Sequence, residues 1–104
     1  MAIYIEFSGN NNQIQVATNT GWGDFGRWVD TLTGYPEMKA LREIGESSGI
    51  PELRAELEAV LEKSPPADKY VLEVADALIT AIDTGADADT DIILVTNGLV
   101  NEPE

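Results

Sequence analysis

The chain has 104 residues, of which 43% are hydrophobic, and its 19 acidic and 6 basic side chains give a formal net charge of −13. It contains neither cysteine nor histidine, so disulfides, thiolate or imidazole metal sites and imidazole-based catalytic triads are excluded. The length predicts one domain spanning residues 1–104, with 101–104 as a frayed tail.

The negative charge limits the partners that the protein can bind. Binding of nucleic acid depends on Lys and Arg neutralising phosphates, and an anionic membrane repels the same surface. The sequence therefore predicts no nucleic-acid or membrane partner, and it favours a basic protein. The first residues lack a basic segment followed by an apolar run, so we expect no signal peptide and a cytoplasmic location.

Two short strands are predicted at the start of the chain. Ile3, Ile5 and Phe7 alternate with more polar residues, which is typical of a half-buried strand. Turn-forming residues occupy 8–12, and a second alternating segment follows around Ile14. The pattern predicts an antiparallel hairpin with a five-residue loop.

Two amphipathic helices are predicted next. The first has one apolar stripe, with Asp24 as its N-cap and Gly34 as its stop; the stripe consists of Phe25, Trp28, Val29 and Leu32. The second is predicted to begin at Pro36 and to end at Gly45. Its inward-facing side chains are predicted to be Met38, Leu41 and Ile44.

Two further helices and a last strand complete the pattern. The third helix begins at Pro51, and Arg54 can pair with Glu58 one turn later. The fourth, over 67–83 and ended by Gly85, has an apolar stripe wide enough for a central position in the core. A continuous apolar run over 92–95, before an Asn-Gly turn, predicts a strand beside the first one.

These elements predict an α+β fold of order ββααααβ. The N-terminal β-hairpin and the C-terminal strand form a three-stranded sheet, and the four helices pack mainly on one face. The predicted core comprises Ile3, Ile5, Phe7, Trp28, Leu57, Leu61, Val71, Leu78, Ile82, Ile93 and Val95.

The first candidate site is an acidic run near the C-terminus, made of Asp83, Asp87, Asp89 and Asp91. Together with Trp22, these carboxylates are the predicted contacts for a basic protein partner. Asp87, Asp89 and Asp91 are also candidates for a cation, because their alternation is similar to the opening of a calcium loop. The glycine and glutamate that such a loop needs are missing at the matching positions, so the alternative is a solvated loop, and the sequence predicts no metal.

The second candidate site is the aromatic and glycine-rich stretch over 20–28. A G-x-G-x-x-G spacing occurs there at Gly21, Gly23 and Gly26. A dinucleotide-binding site with this spacing needs a βαβ unit, and the helical pattern that follows excludes one. A small ligand could instead bind between hairpin and helices; its predicted contacts are Tyr4, Trp22 and Arg27. The alternative is that the aromatic residues belong to the core.

Three classes of function remain open at this point. The favoured one is a small acidic interaction protein that binds a basic partner, of the inhibitor, immunity or charge-mimic type. The second is a ligand-binding or cation-binding domain or an enzyme, and the third is a homo-oligomeric structural protein. No catalytic residue and no cofactor are predicted, a non-catalytic role is favoured, and the chain is expected to be a monomer or small homo-oligomer.

Overall fold

The fold is an antiparallel sheet with four helices, seen in a computed structural model that describes residues 2–10 and 12–96. The strands are β1 (Ala2–Phe7), β2 (Gln13–Thr18), β3 (Glu46–Ser47) and β4 (Ile93–Thr96). The helices are α1 (Asn19–Asp30), α2 (Pro36–Ile44), α3 (Ile50–Lys63) and α4 (Lys69–Gly85). The α+β class is therefore confirmed. The predicted frayed tail at 101–104 and the turn after residue 96 lie outside the described residues.

The sheet has four strands in the order β2-β1-β4-β3, and every neighbouring pair is antiparallel. The predicted hairpin and the pairing of the last strand with the first are confirmed. The prediction of three strands was wrong, because Glu46 and Ser47 pair with Leu94 and Ile93. A strand of two residues is too short to produce an alternating pattern in the sequence, so the order is ββααβααβ.

One face of the sheet is buried against the helices. Ile3, Ile5 and Phe7 of β1 are buried, while the residues between them are partly exposed. The buried side chains form one cluster, which includes eight of the predicted core residues, namely Ile3, Ile5, Phe7, Leu57, Val71, Leu78, Ile82 and Ile93. The other three, Trp28, Leu61 and Val95, are partly buried and pack against that cluster.

The N-cap of the first helix lies six residues before the predicted one. Thr18 at the end of β2 is the N-cap, and its hydroxyl accepts a hydrogen bond from Gly21 N at 3.0 Å. Asp24 instead lies inside α1 and pairs with Arg27. The predicted cap was wrong because strand and helix are joined directly, so a β-branched strand residue also serves as the cap.

The second helix begins at Pro36 and is followed by Gly45 in the left-handed conformation (φ 74°), both as predicted. Ile44, predicted to face inward, is 69% exposed, because the helix ends there and turns towards β3. No side chain of α2 caps its N-terminus. The carboxylate of Glu56 on α3 does so by accepting hydrogen bonds from Glu37 N (3.1 Å) and Met38 N (2.9 Å).

The fourth helix lies along β2. It begins and ends two residues later in the chain than predicted. Its last residue, Gly85, lies directly against side chains of β1 and β2. A Cβ atom there would lie 2.5 Å from a ring carbon of Phe7 and 2.9 Å from Cδ1 of Ile14. Within the described residues, every helix is too short or too polar to span a bilayer.

Candidate functional site

Residues 86–92, here called the acidic loop, connect α4 to β4 and are held by the turn of the hairpin. The hydroxyl of Ser8 accepts hydrogen bonds from the backbone N–H groups of Asp91 (3.1 Å) and Ile92 (3.0 Å). The amide of Asn10 donates to Gly85 O and to a carboxylate oxygen of Asp87, both at 2.9 Å. The hairpin turn therefore fixes the shape of the acidic loop.

Asp87 organises the acidic loop from within. Its carboxylate accepts hydrogen bonds from the Asn10 amide, from Asp89 N at 2.9 Å and from the Thr90 hydroxyl at 3.2 Å. These bonds, that of Asn10 first, hold the pKa of Asp87 below its ordinary value. Gly9 contributes from the hairpin side with φ 90°, and a Cβ atom there would lie 2.7 Å from Asp89 O. The carboxylate of Asp87 is therefore occupied by hydrogen bonds that hold the acidic loop together.

Asp89 and Asp91 differ from Asp87 in that their carboxylates are exposed. Within residues 2–10 and 12–96, neither carboxylate makes a hydrogen bond or an ion pair. Both have their backbone N–H groups held, so each carboxylate projects from an ordered backbone. These are the two members of the predicted acidic run that face solvent without an internal partner.

Asp83 is engaged by an arginine of the neighbouring helix. Arg54 donates two hydrogen bonds to its carboxylate, at 2.6 and 2.9 Å, and pairs with Glu58 at 2.9 Å, which confirms the predicted contact within α3. The bond to Arg54 lowers the pKa of Asp83, and the bonds to Asp83 and then Glu58 raise the pKa of Arg54. Asp83 therefore joins α4 to α3.

The carboxylates considered for a cation do not converge. Among the residues that the structure describes, no three acidic side chains are arranged so that they could hold a metal ion. Asp87 turns towards Asn10 and Thr90, whereas Asp89 and Asp91 point to solvent.

The three residues predicted to bind a ligand are not brought together. Tyr4 alternates with the buried Ile3 and Ile5, so it lies on the face of the sheet away from the helices. Trp22 is half-buried in α1 and stacks on Phe25 with ring centroids 5.2 Å apart. Arg27 is exposed and pairs with Asp24 in its own helix.

A groove that the sequence did not indicate lies between β2 and α4. Its volume is about 470 Å³, and we call it the edge groove; its lining residues are Gln15, Val16, Ala17, Thr18, Gly21, Tyr70, Glu73, Val74 and Ala77. Tyr70 at one end is 60% exposed, and its ring lies 5.4 Å from the Lys69 ammonium group. Glu73 is the one charged residue in the lining.

A second, smaller groove of about 410 Å³ lies between α3 and α4. Leu61 and Ile79 contribute apolar surface, while Glu58 and Glu62 add carboxylates. Both grooves therefore combine apolar surface with negative charge.

Comparison with protein-family models, with curated proteins and with solved structures finds no match for this chain.

Proposed function

We propose that this protein is an interaction protein that binds a basic protein partner. The observation that carries the proposal is the small number of carboxylates with an internal cationic partner. In the described part of the chain only four of them form ion pairs, namely Asp24, Asp30, Glu58 and Asp83. These pairs already involve all three arginines, so most of the net charge of −13 faces solvent uncompensated.

Charge of this kind affects association in a definite way. Opposed surface potentials steer a basic protein towards an acidic one and raise the association rate, and like charge disfavours other acidic proteins. The same potential repels nucleic acid, whose binding depends on basic side chains. A basic protein surface is therefore the class of partner that the charge favours.

The acidic loop supplies a rigid part of this surface. Because the hairpin turn holds its backbone through Ser8 and Asn10, Asp89 and Asp91 need little further ordering when they meet a cation. A preorganised contact loses less conformational entropy on binding than a mobile one does. This supports Asp89 and Asp91 as partner contacts, whereas Asp83 and Asp87 have internal roles.

The test is affinity capture of the tagged protein's partner from native lysate at about 0.15 M NaCl, where the Debye length is about 8 Å. The captured protein is then purified, and its dissociation constant for each variant is measured. We expect one basic protein in stoichiometric amount, with weaker binding to the D89K/D91K variant.

The matched control is E43K/E52K, which changes the net charge by the same amount at two exposed positions on α2 and α3. Equal weakening by both pairs would show that only overall charge matters and would remove the acidic loop from the proposal. Retention of no basic protein, or of many that elute together as salt rises, would contradict the proposed function.

A further inference from the structure

The two edges of the sheet are protected very differently. At one end, β3 has two residues and one of them, Glu46, is charged and exposed. At the other end, β2 has six residues without charge or proline. Natural sheets protect their edges with charged residues, proline, bulges or short strands. Strand β2 has an irregularity near Val16 but neither charge nor proline, although the chain carries a net charge of −13.

The backbone of β2 has groups available for another strand. Phe7 N donates to Asn12 O at 3.0 Å, so Phe7 and Asn12 form a hydrogen-bonded pair. By alternation, Gln13 and Gln15 direct their backbone N–H and C=O groups away from β1. Among the described residues, no backbone hydrogen bond links this outer side of β2 to another element. A register shift near Val16 ends the regular edge there.

The edge groove begins where this available edge ends, because its lining includes Gln15 and then continues with Val16, Ala17 and Thr18. Val74 and Ala77 of α4 form an apolar wall facing Val16 and Ala17, with Glu73 as the charged residue. A strand that pairs with Gln13 and Gln15 and continues past Val16 would place alternate side chains over this groove, since successive side chains point to opposite faces. The groove volume of about 470 Å³ leaves room for an apolar side chain, and the Glu73 carboxylate is available to a neighbouring Lys or Arg.

The charge selects between the possible occupants of this edge. A second copy of the chain would also carry a net charge of −13, so its acidic surface would be repelled by this one. An extended basic segment instead meets Glu73 on one side. At the other end of β2 lies the hairpin turn that holds the acidic loop through Asn10 and Asp87.

We infer that β2 and the edge groove bind an extended basic segment of the partner as an additional antiparallel or parallel strand. Main-chain hydrogen bonds to Gln13 and Gln15 provide affinity, and the edge groove selects an apolar side chain next to a Lys or Arg that meets Glu73. This inference rests on the proposed function, because it assigns the binding mode of the basic partner.

The test uses a displayed library of randomised linear decapeptides selected on the intact protein. The best peptide is synthesised with a fluorescent label, and its dissociation constant is measured by anisotropy at about 0.15 M NaCl. We expect selected sequences that alternate apolar residues with Lys or Arg, and we expect N-methylation of alternate peptide amides to weaken binding about tenfold.

Two variants of the protein locate the peptide. Gln15→Pro removes an outward N–H group, and Glu73→Lys reverses the charge of the edge groove; each should weaken binding about tenfold. Asp76→Lys is the control, because it makes the same charge change at an exposed position of α4 outside the lining. It should leave the dissociation constant within about twofold. Glu73→Lys keeps the test decisive if Gln15→Pro does not fold.

The possible failures can be told apart. If no peptide is selected, or if Glu73→Lys and Asp76→Lys weaken binding equally, the inference is overturned, while capture of a basic protein from lysate still supports the proposed function. If the selected peptides bind at β2 but contain no Lys or Arg, the basic occupant is overturned, and the proposed function loses its support at this site.

Discussion

Gly85 shows how a single residue sets the distance between α4 and the sheet. A side chain at this position would collide with the ring of Phe7, which is fully buried. Because the ring is enclosed by the core, it has no space into which it can move. The residue therefore serves close packing as well as ending the helix.

We expect Gly85→Ala to destabilise the protein by about 1–3 kcal/mol, because the added methyl group overpacks the core. Chemical denaturation followed by circular dichroism measures the change. Thr84→Ala, at the exposed neighbouring position, is the control and should stay within about 0.5 kcal/mol of the native protein. A similarly small change for Gly85→Ala would show that α4 can shift away from β1 at little cost.

At the scale of elements, the two central helices are linked by a cap supplied from a neighbour. Glu56 of α3 accepts hydrogen bonds from the first turn of α2, which has no cap of its own. Glu56→Ala should destabilise the protein by about 0.5–2 kcal/mol, the usual range for loss of an N-cap. Thermal unfolding tests this, with Glu62→Ala at an exposed position of α3 as the control. Equal melting temperatures for the two variants would rule out a capping role.

The carboxylates that join elements predict a pH dependence. Asp83 and Asp87 both have a lowered pKa in the folded protein, so each stabilises the fold above the ordinary carboxyl value of about 3.9. That contribution is lost as the pH falls below this value towards the lowered pKa of the folded state.

We therefore expect the D83N/D87N variant to lose less stability than the native protein between about pH 5 and pH 2. The comparison is needed because acidification also relieves the general repulsion between carboxylates, an effect that both proteins share. Urea unfolding at a series of pH values measures it. If the free energy of unfolding falls equally with pH in both proteins, the folded-state hydrogen bonds of these two carboxylates do not contribute to the pH dependence.

The elements with a clear period were predictable, and those defined by contacts with distant residues were not. Alternation located β1, and the apolar run before the last turn located β4. The strand β3 has no period of its own and exists because Leu94 and Ile93 lie beside it. Local preference also favoured Asp24 as a cap, although the strand residue Thr18 caps the helix.

The candidate site was less predictable, because nearness in sequence did not show which carboxylates have internal partners. Asp83 and Asp87 belong to the same acidic run as Asp89 and Asp91, yet Arg54 and Asn10 engage only the first two. The edge groove combines 15–21 with 70–77, and no local pattern reveals that β2 is an edge strand. The one local sign of the edge strand is that the segment forming β2 has no charged residue, although the chain is acidic.

At the scale of the whole molecule, the uncompensated charge predicts a dependence on salt. Raising NaCl from about 10 mM to about 150 mM shortens the Debye length from about 30 to 8 Å and screens the repulsion between carboxylates. The melting temperature should rise, by about 4–8 °C for each kcal/mol of repulsion removed. The less charged variant E43Q/E52Q should show a smaller rise. A melting temperature that falls with salt in both proteins would mean that screening weakens the ion pairs of Arg54 more than it relieves the repulsion between carboxylates.

The position of β1 between β2 and β4 has a consequence for how the chain acquires its fold during synthesis. The hairpin and the four helices consist mainly of contacts between nearby residues and can form early. The pairing of Ile5 with Val95, by contrast, joins residues far apart in the chain. Closing a loop of that length carries an entropy term of about 4 kcal/mol, so this pairing comes late. A chain interrupted before Ile93 leaves one side of β1 unpaired and open to aggregation. Completion of the sheet therefore requires that β4 has been synthesised.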